Sequence, residues 1–122
     1  MQEVKSYQDL VVWQKAMELV EMVYRATKLF PKEELYGLTS QLRRAVVSIP
    51  SNIAEGHSRK STAEFRNFIS IAQGSKAEAE TQIMIAQRLG YLSLEQSAQI
   101  LSLLTEISKM LSSLRQKLSP HP

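Results

Sequence analysis

Pro50 stands inside a run whose apolar residues, Leu35, Leu38, Leu42, Ala45, Ile49 and Ile53, recur at intervals of three and four. That spacing marks one face of an α-helix, yet proline offers no N–H to the carbonyl of Val46, and its ring crowds that carbonyl. A helix here must bend or stop. Ile53 keeps the phase set by Ile49, so the run predicts a second helix, kinked at Pro50, that resumes. Gly37 falls early in it and weakens it locally. Polar residues follow the break directly, Asn52 and Glu55, and Gly56 closes the segment.

The rest of the chain repeats the helical period three more times. Residues 1–8 have no periodicity and read as a short lead-in, and Asp9 suits an N-cap. From Leu10 to Lys28 there are two apolar rows, Trp13, Met17, Val20, Tyr24 and Val12, Ala16, Leu19, Val23. So wide a stripe implies that the first helix meets several neighbours or a second subunit. Phe30-Pro31-Lys32-Glu33-Glu34 breaks this pattern and restarts it. Ser61-Thr62-Ala63-Glu64 has capping-box form and opens a third helix with a seam of Phe65, Phe68, Ala72, Ser75, Ala79 and Ile83. The small pair Gly74-Ser75 in that seam would let the Pro50 bend come close. Gly90 ends the helix, and Ser93-Leu94-Glu95-Gln96 caps a fourth, whose seam is Ile100, Leu104, Ile107, Leu111, Leu114 and Leu118. The expected fold is all-α, an antiparallel up-down four-helix bundle, with a frayed tail at 119–122.

At 122 residues the chain has room for one domain, 1–122. It has no cysteine, which removes disulfides, thiolate metal sites and a cysteine nucleophile. The longest uncharged runs, Ala45–Ala54 and Gln96–Thr105, are ten residues each, half of what a bilayer span requires. Glu3 and Asp9, with no apolar core and cleavage site, do not make a signal peptide, so the expected compartment is the cytoplasm.

Catalytic chemistry finds little to use. A di-metal bundle site needs Glu-x-x-His pairs, and neither His57 nor His121 stands three residues after a glutamate. No phosphate-cradling glycine loop and no nucleophile triad is present, so the chain reads as a non-enzyme without metal or cofactor. Asn52 and Glu55 are expected to face Ser75 and Glu78 across the bundle. Two readings of that polar network stay open: it fixes helix register and satisfies the carbonyl freed by Pro50, or it lines a ligand or partner site. Basic residues gather in mid-chain at Arg43, Arg44, Arg59, Lys60 and Arg66, a cluster suited to phosphate contacts, against the bland alternative of a solvated connection.

The run Leu42-Arg43-Arg44-Ala45-Val46-Val47-Ser48-Ile49-Pro50-Ser51-Asn52-Ile53-Ala54-Glu55-Gly56, with Glu64-Phe65 and Ile71-Ala72-Gln73-Gly74-Ser75-Lys76-Ala77-Glu78, resembles bacterial four-helix-bundle proteins encoded in intervening sequences of large-subunit rRNA genes. Val12-Trp13-Gln14-Lys15-Ala16 and Leu89-Gly90-Tyr91-Leu92 fit the same family. That family is similar to the accessory variability determinant of diversity-generating retroelements, a basic ring of five that works with a reverse transcriptase and nucleic acid. The resemblance implies a homopentamer, whose formal charge would be about five times the +3 of one chain. The function it implies is binding of RNA or DNA, or of a nucleic-acid enzyme, through a basic surface. The rival is a protein-interaction scaffold without nucleic-acid affinity.

Overall fold

In the computed structural model, residues 4–120 are described. The expected lead-in is partly helical. Ser6 accepts from the Gln8 N–H, and the Asp9 carboxylate accepts from the N–H groups of Lys5 and Ser6, which closes a single 3-10 turn at Tyr7–Asp9. Asp9 therefore caps that turn backwards and does not cap the helix that follows. Helix α1 spans Val11–Thr27 and starts at Leu10 without a side-chain cap.

The restart after Pro31 also differs from the expectation. Lys32–Glu34 forms a second 3-10 turn, and α2 begins only at Leu38. Gly37 is its N-cap and not an interior residue, and the Glu34 carboxylate accepts from the Leu38 N–H. Leu35 consequently leaves the seam and lies about half exposed. From Leu38 to His57, α2 is one continuous helix with Pro50 inside it.

Helix α3, Thr62–Arg88, begins at Ser61, whose hydroxyl accepts from the Glu64 N–H. It ends at Gly90, which has φ +81°; Gly90 N–H reaches Gln87 O and Tyr91 N–H reaches Ala86 O, a Schellman closure. Helix α4, Leu94–Lys117, has both halves of its capping box, between Ser93 and Gln96.

The four helices close a ring of neighbours in which α1 packs on α2 and α4, and α3 on α2 and α4. Pairings between α3 and α4 step in opposite senses along the chain: Arg66 with Leu118, Ser70 with Arg115, Gln73 with Ser112. The core holds Val12, Ala16, Leu19 and Val23 of α1, Leu42, Val46, Ile49 and Ile53 of α2, Ile69, Ala72, Ala79 and Ile83 of α3, and Ile100, Leu104, Ile107 and Leu111 of α4. Only one of the two apolar rows of α1 is therefore spent inside. Of the other row, Trp13 and Val20 are partly buried against the edge of the core, while Met17 and Tyr24 are exposed.

The close approach expected at Gly74 is found instead at Gly56. A Cβ on Gly56 would stand 2.6 Å from the Cβ of Phe68, so α3 packs against the α2 backbone there with no room for a side chain; a Cβ on Gly74 would meet nothing within 4 Å. The expected tail falls partly at Ser119 and Pro120, while His121 lies outside the described residues. No helix among the described residues is long and apolar enough to cross a membrane.

Candidate nucleic-acid interface and inter-helix groove

Consecutive residues on a helix point about 100° apart, so the pair Arg43-Arg44 cannot serve one surface. Arg43 turns toward α1, where its Nε donates to Thr27 Oγ1 at 2.8 Å and its guanidinium lies 4.6 Å over the Tyr24 ring. It holds α1 to α2. Arg44 is exposed and turns toward α3.

Arg59 and Lys60 lie in the α2–α3 connection. Arg59 donates to Glu55 Oε1 at 2.8 Å and its guanidinium lies 4.9 Å over the Phe68 ring. Lys60 is exposed and forms no ion pair among the described residues. Arg66, one turn into α3, donates to the Leu118 carbonyl at 2.9 Å and so completes the C-terminus of α4. Of the five basic residues expected to act together, the structure brings Arg59, Lys60 and Arg66 to one end of the bundle and leaves Arg43 and Arg44 on its flanks.

That end also receives cations that chain order conceals. The Arg66–Leu118 and Ser70–Arg115 contacts place the last turns of α4 beside the start of α3. Arg115 and Lys117 therefore join Arg59, Lys60 and Arg66, and Lys109 and Lys117 edge a shallow groove between the start of α1 and the end of α4. A tally of charge along the sequence misses them because roughly 50 residues separate Arg66 from Lys117; only the pairing of amphipathic helices could have found them.

The polar network forms in part. Asn52 Nδ2 donates to the Ser48 carbonyl at 2.7 Å and to Ser48 Oγ at 2.8 Å, and Ser48 Oγ meets Ser75 Oγ at 2.8 Å. Glu55 and Glu78 do not belong to it. Glu55 is exposed and paired with Arg59, while Glu78 accepts from Gln82 Nε2 at 3.3 Å. Nor do these side chains serve the carbonyl of Val46: Ser51 donates to Val47 O and Asn52 to Ser48 O. Ser48 is the link that the expectation missed, since a serine one helical turn before an asparagine carries no signal by itself.

Between α2 and α3 these residues border a groove of about 360 Å³, lined by Gln41, Arg44, Ala45, Ser48, Ser75 and Glu78. A second groove, about 300 Å³ and mostly apolar, runs outside between α1 and α2 past Trp13, Met17, Val20, Val47, Pro50 and Ala54. It carries the outer row of α1.

Residues 8–113 match the family model described as 23S rRNA-intervening sequence protein. The chain is similar, at 30% identity and a TM-score of 0.78, to a crystal structure of a protein of unknown function from the S23 ribosomal protein family of Bacteroides thetaiotaomicron. The match covers 86% of this chain and 98% of that one. No curated protein matches the chain.

Proposed function

Since this chain belongs to the 23S rRNA-intervening sequence protein family, we propose that it acts as a non-enzymatic, cytoplasmic, oligomeric helical bundle that binds structured nucleic acid, or an enzyme working on it, at one basic end. The observation that carries the reading is the convergence of Arg59, Lys60, Arg66, Arg115 and Lys117 from two regions distant in sequence. Lys60 and Lys117 are exposed and free of ion pairs among the described residues, so they are available to phosphates without breaking a bond. Arg66 and Arg115, held by Leu118 O and Ser70 Oγ, present guanidinium groups in fixed positions.

Oligomerisation rests on the outer apolar row of α1. Met17 and Val47 are each about two-fifths exposed beside Trp13 and Pro50, an apolar strip that a second subunit would cover. The finer form of the proposal is a ring of five, partnered with a reverse transcriptase as in the retroelement accessory proteins that the sequence resembles. The scaffold reading draws on the opposite end, where Leu29, Tyr36, Leu89 and Leu94 are all more than half exposed.

The deciding experiment is a titration of purified protein against a labelled structured RNA and a DNA duplex across a range of salt. Binding that weakens steeply with salt is expected, and the Lys60→Ala/Lys117→Ala double variant should lower the slope of log K against log salt by about 2 on duplex DNA, one unit for each phosphate that is no longer neutralised. Absence of binding at low salt would leave the scaffold reading in place.

A further inference from the structure

We propose that the groove between α2 and α3 binds a free α-amino acid, its carboxylate held at Arg44 and its ammonium at Glu78. The two walls carry opposite charge: Arg44 stands on α2 and Glu78 on α3, and neither forms an ion pair among the described residues. An anion alone would lie beside the glutamate, and a cation alone beside the arginine. A compact ligand with both charges satisfies both walls.

The floor is built for the carboxylate. Ser48 Oγ accepts from Asn52 Nδ2, and one hydrogen is shared between Ser48 Oγ and Ser75 Oγ. Whichever serine donates in that contact, the other keeps a hydroxyl hydrogen that no described bond uses, free for an acceptor in the groove. Glu78 is positioned from behind by Gln82, a buried side chain whose Nε2 points at the Glu78 carboxylate. The Oε1 of Gln82 is buried without a partner, a cost that the amide bears in this orientation. The volume, about 360 Å³, is at the small end of ligand sites and suits a single amino acid. Apart from Gln41, every lining residue comes from the two runs that carry the family resemblance, Leu42–Gly56 and Ile71–Glu78. This inference does not rest on the nucleic-acid reading.

Isothermal titration of the purified protein with each common L-amino acid tests it, with acetate and methylammonium as single-charge controls. At least one amino acid should bind with a Kd of about 1 mM or tighter, and both controls should bind at least about tenfold more weakly. Arg44→Ala and Glu78→Gln should each weaken that amino acid by about tenfold or more while leaving the thermal melt unchanged, because both side chains are exposed. Lys60→Ala should leave it untouched, which keeps this outcome separate from that of nucleic-acid binding. Absence of binding by every amino acid at about 10 mM, or binding that survives both substitutions, would overturn the proposal.

Discussion

At Gly56 an added Cβ collides with Phe68 at 2.6 Å and touches Phe65 Cδ1 at 3.0 Å, whereas at Gly74 it enters open space. Overpacking of this kind costs about 1–3 kcal/mol, and alanine returns up to about 1 kcal/mol of helix propensity. Gly56→Ala should therefore lower stability by roughly 1–2 kcal/mol, and Gly74→Ala should raise it by up to about 1 kcal/mol, both read from urea denaturation of the purified protein. The polar pair near Pro50 divides in the same way. Glu55 meets only Arg59 at the surface, so Glu55→Gln should change stability by less than about 0.5 kcal/mol, while Asn52→Ala should cost about 1–2 kcal/mol by removing the hydrogen bonds to Ser48. The sequence tells apart neither the two glycines nor these two polar residues. Periodicity gives the angle of a residue about its own helix but not the distance of the neighbour on that side. The site suffers more than the core from this limit: Ser75 is legible, while Ser48 and the separation of Arg43 from Arg44 need the second helix in place.

Among the elements, legibility follows local chemistry. The Ser93 capping box opens α4 as its four residues predict, and Ser93→Ala should cost about 1 kcal/mol on thermal or chemical melting. Gly90 ends α3 because its left-handed φ allows the closing bonds to Gln87 and Ala86. Helix α2 starts later than the spacing predicts because the chain first closes a 3-10 turn at Lys32–Glu34, capped by Leu35, and then leaves the helical path at Gly37, with φ −114° and ψ −113°, so that the helix can begin only at Leu38. That turn has a long-range purpose. Tyr91 OH donates to Glu34 Oε2 at 2.9 Å and the Tyr91 ring lies 5.4 Å from Phe30, which ties the α1–α2 connection to the α3–α4 connection. The bond to the glutamate, then desolvation, raise the Tyr91 phenol above its ordinary value of 10.0. A raised pKa means that the folded state favours the protonated phenol, so the contribution is complete below that ordinary value and is lost as pH climbs through the raised one. The melting-temperature gap between the native chain and Tyr91→Phe should stay constant to about pH 10 and narrow above it.

For the whole molecule, the sequence discloses the all-α class and most of the core, since four seams of period three to four leave few alternatives, while Val46, Ile69, Ala86 and Leu103 are buried outside the predicted seams. It does not disclose which cations share an end, a property of helix pairing alone. Placing a charge in the outer strip, as Met17→Glu, should reduce the mass in light scattering to the 13.8 kDa of one chain with helicity preserved, if the strip is where subunits meet. The four seams between helices are unequal in strength. Between α2 and α3 the third helix packs against the α2 backbone at Gly56 and the serines bond across, over a connection of four residues. Between α1 and α4 the described polar link is a single half-exposed ion pair, Lys15 to Glu106, and closing it brings together residues about 90 positions apart. Thermal opening should thus begin along α1 and α4 while the α2–α3 hairpin persists, so backbone amides at Ile49, Ile53 and Ile69 exchange with solvent last and those near Val12 and Leu114 first. On that expectation the bundle is a firm hairpin whose two flanking helices, each tied to it by its own contacts, part first from one another.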